Sequence, residues 1–449
     1  MLSYLARNWQ FFLLIIFYVV VGIYGGPILF LFMPLSVFFM KSRDMWPEMI
    51  FGFIIVLVLS DITPWFFSMQ VFKSAKNTYI MALSAVFLLE RYRFVPFSKV
   101  FNIFLPFFVY SFFPLVFSST LLVAVQKTIS YMLLYLIIPN YVLYNFRIWG
   151  WDFFKNLVRF MAVVLISGLF IHYYGPFYAY FVGRFRGLFG NPNGIANFSF
   201  LLIMLTSVLL SVKKDLFSWK EKLFIYGTAT YFLIASGSRT SLVAVFIFLV
   251  FGRFFAASPL LGMLALLGVF GIAEIVLNNI APIVTYLGLQ DYIRLNTIKS
   301  GSGRYFAWSF AWTHIQDYFV FGGGFANDER IMRKNRVYLE RMGHQGGVHN
   351  SFLSFWLDVG IVGLLIFMRS FVLVFIKASK NVSLSMGVMF AVLFSVSYES
   401  WLVSSLNPYT IILLVIITIL SEEEIALWDR PDAEEPAPEN LTPAPIPGV

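Results

Sequence analysis

The chain has 449 residues, of which 59% are hydrophobic, 20% aromatic and only 12% charged, with a formal net charge of +9. An average soluble protein carries roughly 25% charged residues, and a soluble fold of this size cannot cover so much apolar surface. The composition therefore excludes a soluble enzyme, a disordered chain and a disulfide scaffold, and the absence of cysteine removes disulfides, thiol catalysis and cysteine metal sites. It is the composition of an all-α polytopic membrane helix bundle. The basic excess, 32 Lys and Arg over 23 Asp and Glu, suggests cytoplasmic loops obeying the positive-inside bias rather than nucleic-acid binding.

A spanning helix needs about 20 mostly apolar residues. The first candidate lies near 10–24 and is followed at once by a second run, ILFLFMPLSVFFM, so it does not read as a cleavable signal. Further candidates lie near 48–68, 77–90, 100–119, 121–145, 156–174, 193–212, 222–237, 240–256 and 259–278, then near 349–375, 383–400 and 404–421. Two of the short early ones read equally well as re-entrant, which leaves about 12 to 14 transmembrane helices. Lys41 and Arg43, Arg91, Arg93 and Lys99, Arg147 and Lys155, Lys213 to Lys222, and Lys377 and Lys380 fall in alternate connections. These connections and both termini are expected to be cytoplasmic; Lys73 and Lys76 fit this scheme poorly.

The expected organisation is a transmembrane bundle over 1–278, an extracytoplasmic loop over 279–348, three last spans over 349–421 and a tail over 422–449. The loop holds eight Lys or Arg against five Asp or Glu, a balance of +3 on the external face. Within it RYFAWSFAWTHIQDYF reads as an amphipathic surface helix, FGGGF as a turn and DERIMRKNRVYLERM as a basic helix. The tail is acidic and then Pro-rich, and reads as disordered.

Three external positions carry Gly-flanked arginines: Arg184 and Arg186 in GRFRGLFGNPNG, Arg239 in SGSRTS and Arg304 in GSGRYFAW. Boundary arginines commonly snorkel to lipid phosphates. Three such sites on one side also suit a pyrophosphate clamp, because glycine lets backbone approach a ligand and the guanidinium fork matches phosphate oxygens. NPNG reads as a helix start with Asn193 as N-cap, or as a helix N-terminus facing an anion. His349 opens a span in HNSFLSFWLDVGIVG, sharing a helical face with Leu353, Trp356, Gly360 and Gly363. It is either a helix-capping residue or a catalytic base at the rim of an interhelical crevice. His344 is a weaker candidate, and His314 and His172 read as structural. Lys127, Glu274, Asp358 and Glu399 are the other intramembrane ionisable residues, and leave transport open as a second class. No metal-binding carboxylate motif, HExxH or Walker loop is present, so neither a metal nor a cofactor is expected.

Four pieces in order, RGLFGNPNGIA, SGSRTSL, GRYFAW with FGGGF, and HNSFLSFWLDVGIVG, carry a family resemblance. The chain resembles the O-antigen ligase and O-antigen polymerase superfamily of bacterial membrane glycosyltransferases over about 180–370. The last piece fits the ligase pattern of His349, Asn350, nine residues, Gly360 and Gly363. The N-terminal 170 residues match only in being apolar. The resemblance implies a multi-pass protein of the bacterial inner membrane with its active site facing the periplasm. The implied donor is a glycan on undecaprenyl pyrophosphate. The implied acceptor is lipid A–core for a ligase, or a second lipid-linked repeat unit for a polymerase. The implied reaction is inverting and metal-independent: Arg239 and Arg304 neutralise the pyrophosphate, His349 orients or deprotonates the acceptor hydroxyl, and Arg184, Arg186, Asn193 and Asn350 assist in binding. A lipid-linked glycan flippase is the competing reading.

Overall fold

The computed structural model describes residues 2–62, 69–252, 304–344 and 346–428, with scattered positions between 254 and 286. Most of the candidate span 259–278, the start of the long loop and the tail from 429 onwards lie outside the described residues. The described chain is an all-α bundle, and its only strands form a two-residue antiparallel ladder that pairs Tyr180 with Phe185 and Phe181 with Arg184. Among the described residues six helical stretches are long and apolar enough to cross a membrane: Trp9–Ser42, Val100–Phe117, Leu121–Trp149, Trp151–Tyr174, Pro192–Val212 and Ser351–Ser379. Shorter apolar helices occupy Arg239–Val250, Ser385–Tyr398 and Pro408–Ser421. Helices at Trp46–Asp61, Phe72–Leu89 and Trp219–Ala235 fall at the candidates near 48–68, 77–90 and 222–237.

The basic connections collect at one end of the bundle. Lys41 pairs with Glu90 at 2.7 Å, and Arg147 with Glu424 at 3.1 Å. Glu422 accepts hydrogen bonds from the Ser98 hydroxyl at 2.6 Å and the Lys99 N–H at 2.9 Å. Lys213 lies over the rings of Trp151 and Trp428, at 5.5 and 5.8 Å. Residues 422–428, assigned from sequence to the tail, are thus docked on the bundle and include a short helix at Glu423–Ala426. The other end carries the turns near 111–121, 174–192, 235–239 and 399–407 together with the long loop. At the centre, Pro192–Val212 packs on Trp151–Tyr174, Trp219–Ala235, Arg239–Phe246 and Pro408–Ser421, and is almost wholly buried.

The helix Ser351–Ser379 is not continuous. Gly360 takes φ 67° and ψ 179°, a backbone region open essentially to glycine alone. Breaking a helix frees backbone groups that must find partners in an apolar surrounding. The FGGGF loop supplies them. Gly323 and Gly324 donate N–H bonds to the carbonyls of Leu357 and Asp358, at 3.0 and 2.8 Å. Ile361 and Val362 donate to the carbonyls of Phe319 and Val320, at 2.9 and 3.3 Å. The loop read as a simple turn is thus knitted into a broken helix. A β-carbon on Gly360 would lie 2.2 Å from the Val320 carbonyl oxygen. The expected face through His349, Leu353, Trp356, Gly360 and Gly363 is corrected accordingly: His349 precedes the helix at φ 53°, and Gly360 interrupts it.

The loop's other elements pack against this helix. Arg304–Ile315 buries Ala307, Ala311 and Ile315, a stripe at four-residue spacing, and packs on Ser351–Ser379. The basic segment forms two short helices, Asn327–Lys334 and Arg336–Arg341, in place of one. Asp358, beside the break, accepts N–H bonds from Ala326 at 3.2 Å and Asp328 at 2.9 Å, and so anchors the start of Asn327–Lys334.

Candidate active site

The turn Ser236-Gly-Ser-Arg-Thr-Ser241 joins Trp219–Ala235 to Arg239–Phe246, and two distant arginines converge on it. Its Ser236 carbonyl accepts from Arg184 Nε at 2.7 Å, and its Thr240 hydroxyl accepts from Arg304 Nη1 at 3.3 Å. The Ser241 hydroxyl donates to Asn197 Oδ1 at 2.9 Å, fixing the turn to the central helix. Arg239, the first residue of its helix, is exposed, and among the described residues it makes no hydrogen bond or ion pair. Three of the four arginines singled out from sequence therefore gather around one six-residue turn.

One carboxylate ties this cluster to His349. Glu399 Oε1 accepts from Arg304 Nη2 at 2.5 Å and from Asn193 Nδ2 at 2.9 Å. Asn193 Oδ1 in turn accepts from Arg184 Nη2 at 2.9 Å. The second oxygen, Oε2, lies 3.8 Å from His349 Nδ1. The backbone at Glu399 is held in place by the Ser351 hydroxyl, which donates to its carbonyl at 2.7 Å. Sequence reasoning noted Glu399 only as an intramembrane carboxylate and gave it no place in the site. Its one signal was a lone acid at the end of an apolar run. Three guanidinium groups against one carboxylate leave this cluster at +2, a balance suited to a pyrophosphate diester.

His349 is placed by its neighbours rather than by a helix. Its carbonyl accepts from the Trp308 indole N–H at 3.4 Å. Gly346, at φ 118°, leaves room for the ring, since a β-carbon there would sit 2.8 Å from His349 Nε2. The buried His344 ring lies 5.6 Å away and bonds through Nε2 to the Gly347 carbonyl at 3.0 Å. Burial lowers the His344 pKa, the hydrogen bond to the Gly347 carbonyl opposes this, and His349 nearby lowers it further. His349 and Glu399 face a crevice of about 380 Å³, with Asp61, Lys127, Asn193, Asn197, Asp328, Asn407 and Tyr409 on its walls. Burial, reinforced by Glu329, holds the Asp328 carboxyl above the ordinary range. Among the described residues no group of three or more His, Asp or Glu is arranged to hold a metal ion.

Two of the expected site residues have other duties, and a third loses its expected capping role. Asn191, not Asn193, caps Pro192–Val212, its side chain accepting from the Gly194 N–H at 2.9 Å. That leaves Asn193 free to bridge Arg184 and Glu399. Asn350 is itself a cap: its Oδ1 accepts from the N–H groups of Phe352 at 2.9 Å and Leu353 at 3.1 Å. Arg186 is buried and donates from Nε to the Tyr178 carbonyl at 2.9 Å, bracing the loop that presents Arg184.

The family model described as O-antigen ligase matches residues 224–368. The match takes in Arg239, Arg304, His349 and the Gly360 break, and stops short of Glu399 and of the Arg184 loop. No curated protein matches the chain. This segment, with its arginine turn and its histidine on one crevice, is similar to the O-antigen ligase family.

Proposed function

We propose that the protein transfers a glycan from undecaprenyl pyrophosphate to a hydroxyl of lipid A–core, on the periplasmic face of the bacterial inner membrane. The observation that supports this reading is the meeting of Arg304, Asn193 and His349 on Glu399, beside the free Arg239. The acceptor oxygen attacks the anomeric carbon as the bond from that carbon to the pyrophosphate oxygen breaks. The pyrophosphate leaves with the bonding electrons, and the acceptor proton passes to His349. Arg239 and Arg304 meet the negative charge that grows on the leaving group, where preorganised cations act most strongly. Glu399 orients the imidazole through Nδ1 and stabilises its charged form, which leaves Nε2 to take the proton. Attack from the side opposite the leaving group inverts the anomeric centre, and no step calls on a metal.

A polymerase would use the same centre with a lipid-linked repeat unit as acceptor. A flippase would need ionisable groups along a path through the bundle. Here the buried Arg186, Asp328, His344, Asp358 and Glu399 lie toward the loop end and the buried Glu422 at the opposite end, which favours a site at one face over a continuous path.

The test is transfer by purified protein in liposomes holding lipid-linked donor, with lipid A–core or a second donor molecule as acceptor. His349→Ala is expected to slow transfer by about 10²–10⁴-fold while still binding donor, because the arginines hold the pyrophosphate. Equal turnover by His349→Ala and wild type would remove His349 from the chemistry. Glycan movement across the vesicle without transfer would establish the flippase.

A further inference from the structure

Beside the His349 crevice lies a second, larger chamber of about 820 Å³. The two share Asp61, Lys127, Glu329, Ser404, Asn407 and Tyr409, so they are continuous. Four basic residues line the second chamber, Lys73, Lys76, Lys127 and Arg333, against the acids Asp61 and Glu329. Lys127 is paired with Glu329 at 2.5 Å, and Lys76 donates to the Leu406 carbonyl at 3.0 Å. Lys73 and Arg333 are exposed, and among the described residues neither makes a hydrogen bond or ion pair. These two free cations come from separate elements, Phe72–Leu89 and Asn327–Lys334, and line the same space. Lys73 and Lys76 are also the residues that the topology left unexplained.

The chamber has an apolar side as well. Phe30, Met81 and Val123 line it and are 41%, 64% and 45% exposed on the outer surface of the bundle. In a chain that crosses a bilayer, such residues meet acyl chains rather than water. The chamber thus offers free cations within and a lipid-facing rim without, which is the complement of an amphiphile bearing phosphate on a sugar.

We propose that this chamber is the acceptor site, and that Lys73 and Arg333 bind phosphate groups on the sugars of a lipid-anchored acceptor. The proposal rests on the glycan-transfer reading above. The donor's pyrophosphate has its own cations, Arg184, Arg239 and Arg304, beyond Glu399. His349 stands between the two sets, where an acceptor hydroxyl reaching out of the chamber meets it. Lys127, paired with Glu329, stands where the two spaces join.

The experiment uses the full-length protein in detergent, with Lys73→Gln, Arg333→Gln and the double variant. Both positions are exposed, so folding is expected to survive; near-wild-type affinity for undecaprenyl pyrophosphate serves as the check. Binding is measured by titration with lipid A, with lipid A stripped of its phosphates, and with undecaprenyl pyrophosphate. Each substitution is expected to weaken lipid A binding about tenfold, the factor that accompanies loss of one charge-assisted hydrogen bond. The stripped lipid is expected to bind wild type as weakly as lipid A binds the double variant. In the transfer assay the loss should fall on the acceptor KM and not on the donor KM. Wild type that binds lipid A and its stripped form equally would overturn the proposal, as would variants that keep undecaprenyl pyrophosphate affinity and bind lipid A as tightly as wild type. The binding arm needs no turnover. Phosphate-dependent binding without transfer would defeat the transfer reading alone, and transfer with phosphate-independent binding would defeat the chamber alone.

Discussion

The two ends of the bundle use the same residue types for different ends. At the basic end, among the described residues, exposed cations such as Lys220, Lys377 and Lys380 stand apart from any shared acid, while Lys41 pairs with Glu90, Arg147 with Glu424 and Arg159 with Glu221. Glu90 shows how complete that satisfaction is, because hydrogen bonds from Lys41, Tyr92 and Arg93 pull its pKa down to about 2. At the loop end one carboxylate, Glu399, serves Arg304 and Asn193 and faces His349, while among the described residues Arg239, Lys73 and Arg333 make no hydrogen bond or ion pair. Charge at a membrane boundary therefore does not identify a site. Cations gathered around a shared acid beside a histidine do, because together they can bind an incoming anion next to a group able to move a proton.

The largest expected effect comes from removing the support beneath the loop end. Gly360→Ala would place a β-carbon 2.2 Å from the Val320 carbonyl at a φ of 67°. The FGGGF loop must then leave the broken helix, and Asp358 loses the loop it anchors. The expected outcome is transfer below detection and a marked fall in Tm, measured on detergent-purified protein. Wild-type activity in this variant would show that the break does not hold the site.

A smaller effect is expected within the cluster itself. Arg304→Ala should cost on the order of 2–4 kcal/mol in the transition state, by comparison with loss of one oxyanion donor. Arg304→Lys should recover only part of that, because a point charge cannot bond Glu399 and Thr240 in the same plane. The measurement is kcat/KM with lipid-linked donor. Full activity in the alanine variant would reduce Arg304 to a brace between Glu399 and Thr240.

The smallest effect belongs to the basic end and completes the contrast. Arg147 and Glu424 form a partly exposed pair, worth about 0–1 kcal/mol in stability. Arg147→Ala should lower Tm slightly and leave kcat/KM unchanged. A loss of activity comparable with that of Arg304→Ala would erase the distinction between the two ends.

The sequence by itself determined the fold class, the alternation of basic connections and most helix positions, because a run of apolar residues is a local property that the bilayer reads directly. It also marked the arginine positions around 184, 239 and 304, since glycine-flanked cations stand out in an apolar chain. What it did not contain was the partner of each group. Glu399 meets residues 95 and 206 positions away, and no local pattern encodes such a meeting. The choice of Asn191 over Asn193 as cap depended on which side chain the packing left free to reach Glu399. Gly360 read as one position on the His349 helical face until the FGGGF loop supplied the hydrogen bonds that make a broken helix tolerable. Lys73 and Lys76 contradicted the charge rule until the tertiary fold enclosed them in a chamber beside the histidine. Helix formation and insertion follow from near neighbours along the chain, whereas a site is made of groups that only the closed bundle brings within hydrogen-bonding reach.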